Sequence, residues 1–279
     1  MKRVAMKSKF TIILLATILF WSGCRQSEPE FNARTGDILT FAGRQWWIKH
    51  APFIMGPGGN FFSNHPNDVW VDNNGHLHLT VTEREGTWRC TEVVSLENMG
   101  YGTYIWTIRG NPVDIDPTIV LGLFTWDDST FAMEANSEVD IEFSKWLDPK
   151  QEYTLQYGVQ PINFGPYFPE RDHKPEVDPK TWIGVSTHAF TWTDTLITWA
   201  SWPGNKYGNG DPVARWSFDL TNEPRVKNEG GQSSRPIVIP APGNQTNARM
   251  NLWLIRGLEG PTVPRRHEMV IENFEYYPL

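Results

Sequence analysis

The sequence predicts an all-β protein, a sandwich or jelly roll of antiparallel strands. Three observations carry this. The informative segments alternate apolar and polar residues with period 2. Glycine, proline and asparagine turn signals separate them. No long segment after residue 24 sustains the 3.6-residue period of a helix.

The N-terminal 23 residues stand apart from this pattern. Lys2, Arg3, Lys7 and Lys9 form a basic end, residues 10–21 are an apolar run, and Ser22 and Gly23 precede Cys24. A basic end, a short apolar core and small residues before a cut site predict a secretory signal. The run is shorter than the ~20 apolar residues that a spanning helix needs. Ser-Gly-Cys also resembles the lipobox of bacterial lipoproteins, although Trp21 stands where an aliphatic residue is usual. That resemblance implies a lipidated Cys24 and a chain tethered in the cell envelope, meeting the membrane only through its anchor. Residues 24–30 read as a short tether and residues 31–279 as one domain.

Within that domain the strand signals come in sequence. Residues 76–82 alternate, with Leu77, Leu79 and Val81 on one face, and the Asp72-Asn-Asn-Gly75 turn feeds them. Residues 138–143, 195–199 and 269–276 alternate in the same way. Gly110-Asn-Pro112, Asp148-Pro149 and Trp202-Pro-Gly204 break other runs. Residues 161–181 and 203–248 are rich in Pro, Gly, Asn and Arg, and they read as long insertions at the rim of the sandwich.

Composition narrows the function. The 279 residues give ample core without staples. Only 20% of residues are charged and 13% are aromatic, including 14 Trp, which excludes disorder and coiled coil. A net charge of −7 leaves no basic footprint for nucleic acid. Losing residues 1–23 removes four of the 25 basic residues and none of the 32 acidic ones, so the mature chain is more acidic still. Two cysteines allow neither a disulfide framework nor a thiolate zinc site. His76, His78 and His188 are scattered, with no third ligand at zinc spacing.

Glu138, Asp140 and Glu142 lie at i, i+2 and i+4, so a strand points all three carboxylates to one face, with Val139, Ile141 and Phe143 on the other. Three adjacent acids repel one another and raise at least one pKa. Glycoside hydrolysis uses such a set, with one carboxylate as nucleophile and one protonated carboxyl as acid. A solvated strand face or an acidic calcium site would show the same pattern.

Further motifs favour the first reading. The Glu-Val-Asp-Ile-Glu-Phe run resembles the E-[ILV]-D-[IVF]-E signature of glycoside hydrolase family 16, the β-jelly-roll endoglycanases. Trp88-Arg-Cys-Thr-Glu-Val-Val-Ser95 and Gly100-Tyr-Gly-Thr-Tyr104 resemble the strand pair that precedes the catalytic strand in that family. His188-Ala-Phe-Thr-Trp192, Met250-Asn-Leu-Trp253 and residues 269–277 resemble its later strands, in family order. The resemblance implies a concanavalin-like jelly-roll sandwich of two antiparallel sheets with a concave substrate cleft. It implies Glu138 as nucleophile, Asp140 as assisting aspartate and Glu142 as acid/base. It further implies Glu92, Phe124, Trp126, Asn251 and Trp253 as substrate-binding residues, with core packing the alternative for the two tryptophans. Gln156 and Gln160 join the same cleft by their spacing, and Cys90, at the parity of Glu92, is placed at its edge.

The expected activity is retaining, endo-acting hydrolysis of a β-glucan or an algal galactan, by a monomer that requires no cofactor. Relatives often hold a structural calcium ion, with no ligands assignable here. A non-catalytic glycan-binding protein and a transglycosylase are the alternatives on the same fold. Two departures bear on specificity. Asn136 stands where the β-1,3-1,4-glucanases often have Trp, and the one-residue insertion of several laminarin-cleaving relatives is missing. Arg171, Lys174, Arg215, Arg225, Lys227 and Arg235 in the two insertions fit an anionic glycan, or simply polar loops.

Overall fold

A computed structural model describes residues 37–130, 135–162, 171–221 and 239–279. Cys24 and the signal and tether segments lie outside the described residues.

The chain forms β1 (Ile38–Phe41), β2 (Arg44–Ile48), β3 (Phe61–Phe62), β4 (Val69–Val71), β5 (Leu77–Arg84), β6 (Thr87–Ser95), β7 (Gly102–Gly110) and β8 (Ile119–Trp126). It continues through β9 (Val139–Ser144), β10 (Leu155–Val159), β11 (Asp172–His173), β12 (Gly184–Trp192), β13 (Leu196–Pro203), β14 (Ala214–Asp219), β15 (Asn247–Leu254) and β16 (His267–Pro278). The only helical pieces among the described residues are short 3₁₀ turns.

The strands pair in the order β11-β10-β9-β8-β15-β6-β5-β16-β7-β12-β13-β14. Every pairing is antiparallel except a two-residue parallel contact of β3 with β6. The sheet bends back on itself at β6. The start of this strand pairs with β5, while its end pairs with β15 and β2. The expected two layers are therefore joined through one strand, and the jelly-roll architecture is as predicted.

Alternation explains the core. Leu77, Leu79 and Val81 of β5 are fully buried, as are Val139, Ile141 and Phe143 of β9, and all belong to one continuous cluster between the layers. The 72–75 turn forms as the sequence suggests, with the Asp72 carboxylate accepting from the Asn74 and His76 amides at 2.8 and 2.9 Å.

Three expectations are corrected. The stretch 203–248 is not wholly an insertion. Ala214–Asp219 is an edge strand whose Phe218 enters the core and whose Trp216 stacks on Trp199 at 4.6 Å. Its six residues sit between Pro- and Gly-rich flanks, and their brief alternation was easily hidden. Similarly, residues 161–181 supply β11, which pairs with β10 at the edge of the sheet. Cys90 is not at a cleft edge. It is fully buried in the main core, because β6 crosses between the layers at that point and alternation there no longer separates core from cleft.

Candidate active site

The register across five strands builds the site. Gln156 of β10 pairs with Glu142 of β9, Glu142 with Gly122 of β8, Gly122 with Asn251 of β15, and Asn251 with Glu92 of β6. Directly opposed residues share a face, so these form one row. The next row runs from Gly158 through Asp140 and Phe124 to Arg249. Both rows occupy the face opposite Ile141 and Leu123. The register thus puts Glu92, Phe124, Asp140, Glu142, Gln156 and Asn251 on one face.

Glu138 lies one residue before β9, held by its neighbours. Ala135, Asn136 and Ser137 have φ values of 45°, 63° and 52°, a left-handed run that is sterically unfavourable outside glycine. Hydrogen bonds fix it. Asn136 Nδ2 donates to the Asp127 carbonyl at 3.1 Å, Ser137 Oγ to the Ala241 carbonyl at 2.6 Å, and Thr125 Oγ1 to the Ser137 carbonyl at 2.8 Å. On the far side, the Gln160 amide donates to the Glu138 carbonyl at 3.0 Å.

The three acids share a sparse set of donors. Gln160 Nε2 donates to Asp140 Oδ2 at 3.1 Å, and Gln156 Nε2 approaches Glu142 Oε2 at 3.4 Å. Asp140 is also hydrogen-bonded to Glu138. Beneath them, Trp199 Nε1 donates to the Asp140 carbonyl at 3.0 Å and ties the strand to the opposite layer. Burial pushes the Glu138 carboxyl well above the usual range, and the Asp140 and Glu142 charges add to it. Burial likewise raises Glu142, with Asp140 adding and Lys174 opposing. Asp140 is raised to about 7 by burial, against its bonds to Gln160 and Glu138. The cluster thus holds protons near neutral pH, as an acid–carboxylate pair requires.

The other predicted residues fall on the same face in different states. Phe124 is buried beside Asp140. Trp126 is half-buried, and its Nε1 donates to Asp128 Oδ1 at 2.7 Å. Trp253 is half-buried and packs against the main core on one side. Asn251 is buried, and its Nδ2 donates to Glu92 Oε2 at 3.2 Å. Its Oδ1 has no hydrogen-bond partner among the described residues.

Glu92 is wholly buried and enclosed. Its oxygens accept from Lys49 Nζ at 3.0 Å, Arg249 Nη1 at 3.3 Å and Asn251. Lys49 and Arg249 escaped the sequence reading. Arg249 was findable, two residues before Asn251 on the same face. Lys49 reaches the site only because the end of β2 runs beside β6, a long-range pairing that no local pattern reveals.

Among the described residues no three His, Cys, Asp or Glu side chains come together to hold a metal ion.

No protein-family model matches the sequence, and no curated protein resembles it closely enough to match. Solved structures do. A Bacillus licheniformis β-glucanase superposes with a TM-score of 0.57 at 19% identity, covering 88% of this chain and 99% of its own. The chain has the fold of glycoside hydrolase family 16. A laminarinase from Flavobacterium sp. UMI-01 gives a TM-score of 0.57 at 12% identity, over 88% and 96% of the two chains. A family 16 glycosyl hydrolase protein from Mycobacterium smegmatis gives 0.55 at 15%, over 83% and 91%. The family 16 fold thus extends over most of the chain, with little sequence in common.

Proposed function

We propose that this protein is a retaining, endo-acting glycoside hydrolase that cleaves internal β-glycosidic bonds of a polysaccharide, a β-glucan or an algal galactan. The observation that carries this reading is the alignment of Glu138, Asp140 and Glu142 on one face, with Asp140 hydrogen-bonded to Glu138 and to Gln160, and Glu142 approached by Gln156. A structural strand gains nothing from three crowded carboxyls with raised pKa values, whereas double displacement uses them. Glu138 attacks the anomeric carbon while Glu142 gives its proton to the leaving oxygen. Glu142 then takes a proton from the water that releases the sugar. Asp140, bonded to Glu138, shares its proton and steadies the nucleophile between the two steps. Phe124, Trp126 and Trp253 offer ring faces to sugar C–H groups, and Asn251 turns a free carbonyl oxygen toward the row.

Release of new reducing ends from a panel of β-glucans and algal galactans tests the reading. Oligosaccharides of several lengths appearing early support internal cleavage. Tight binding across the panel with no cleavage would instead favour a glycan-binding protein.

We further propose that the protein works as a monomer tethered to the envelope through lipidated Cys24. Radiolabelled palmitate should enter the wild type and not Cys24→Ser, and a wild type with no label would refute the anchor.

A further inference from the structure

The enclosed Glu92 leaves a charge to be explained. Two cations, Lys49 and Arg249, converge on this one carboxylate. Burying a cation without an anion is costly, and beyond the shared Glu92 the anion nearest Arg249 is the exposed Asp128, 3.6 Å away, so part of its charge is left to act within the site.

Arg249 shows where that charge is directed. Its Nε donates to Asn247 Oδ1 at 2.8 Å, and its guanidinium lies over the Trp126 ring, 5.2 Å from the centroid. Asn247 and Trp126 are directly opposed on β15 and β8. The β8–β9 ladder ends at Phe124 and Asp140, and beyond it Thr125 Oγ1 bonds the Ser137 carbonyl and the Val139 amide on either side of Glu138, which sets the neighbouring Trp126 beside Glu138. The guanidinium has therefore swung from the Asp140 row toward the Glu138 row, across the Trp126 ring. The charged groups that face Glu138 are Asp140 and Glu142 from its own strand, Glu92 from β6 and Arg249 from β15. Three are acids and one is a cation. Arg249 is in turn faced by Glu92, Lys49 and the exposed Asp128, 3.6 Å away. On the other side of the trio, Lys174 and Asp172 face Glu142.

We propose that Arg249 is a positioning residue of this site: held by Glu92, Asn247 and the Trp126 ring, its guanidinium is the counter-charge to the Glu138 carboxylate. This rests on the reading of Glu138 as nucleophile. It gives Glu92 a role suited to its full burial, anchoring Arg249 at a fixed distance from the acids instead of touching sugar. It also separates the two glutamates electrically. Arg249 lies on the Glu138 side and Lys174 on the Glu142 side, so loss of one cation should move one titration more than the other.

The test titrates the side-chain carboxyls of ¹³C-labelled glutamate by NMR, with the Glu138 signal assigned by its loss in Glu138→Gln. In Arg249→Met the Glu138 midpoint should rise by about one pH unit, and Arg249→Lys should restore most of the difference. Glu92→Gln, which removes a competing anion, should move the same midpoint down. The opposite signs of these variants keep the test decisive should Arg249→Met fail to fold. The acidic limb of kcat/KM should follow the titration upward in Arg249→Met. A Glu138 midpoint unchanged in Arg249→Met and Glu92→Gln alike, or an upward shift in Glu92→Gln, would overturn the proposal. The titration needs no substrate, so that result would leave the hydrolase reading standing. Absence of cleavage on every glycan would overturn the hydrolase reading and leave the electrostatic pairing intact.

Discussion

His188 is wholly buried between the layers, its ring nitrogens 2.7 Å from Ser201 Oγ and 2.8 Å from Ser186 Oγ, while Tyr157 bonds the same Ser201 hydroxyl at 2.6 Å. Burial depresses its pKa from 6.5 to about 3. Between those values the unfolded chain binds a proton that the folded chain refuses, so His188 lends stability above pH 6.5 that is lost as pH falls toward 3. The slope is at most about 1.4 kcal/mol per unit. The acid trio acts with the opposite sign, since its raised pKa values favour the folded state as pH falls toward the ordinary carboxylate range. The difference between wild type and His188→Gln therefore isolates the histidine. Urea unfolding should show the wild type losing more stability than the variant between pH 6.5 and 4, and parallel curves would show that His188 does not titrate in this way. The sequence marked His188 as part of a motif, yet only the packed layers show that the ring bridges two hydroxyls. The identities of Glu138, Asp140 and Glu142 were legible because alternation is local. The enclosure of Glu92 was not, because it depends on a lysine from a distant strand.

At the scale of strands, β8 is shaped by what Gly122 lacks. A Cβ at this position would stand 2.5 Å from Asn251 Oδ1, and Asn251 is pinned to Glu92 on its other side. The bare backbone lets Asn251 and Glu142 approach the same row from neighbouring strands. Gly122→Ala should displace Asn251, lower stability by about 1–3 kcal/mol and reduce hydrolysis at least tenfold. Adding Asn251→Ala should recover the melting temperature but not the rate. A single variant with unaltered melting temperature and rate would mean that Asn251 is not held there. Element prediction succeeded where alternation was long, as in β5, β9 and β16. It failed for β14, whose six residues are too few to stand out from their flanks, and for β6, whose passage between layers reverses the meaning of parity at Cys90.

For the molecule as a whole, the order of motifs along the sequence foretold the jelly-roll fold, and solved family 16 folds extend over most of the chain at under 20% identity. What such distant likeness carries is the frame: a sheet that brings β9 between β8 and β10 and sets its acids in a row. Around Glu92, Arg249 enters from β15 and Lys49 from the end of β2. Arg249 shares the strand face of Asn251, whereas Lys49 could not be read from spacing, because the pairing that delivers it joins residues 43 positions apart.

The central claim is double displacement through Glu138 and Glu142, and azide rescue tests it most directly. Glu138→Ala loses the covalent step and several orders of magnitude in rate, and azide entering the vacated face of an activated glycoside should give a glycosyl azide of inverted configuration. Glu142→Ala still forms the glycosyl-enzyme from a substrate with a good leaving group, and azide should then give a product of retained configuration. Near-wild-type hydrolysis by both variants on a glycan that the parent cleaves, or the same azide anomer from both, would contradict the assignment.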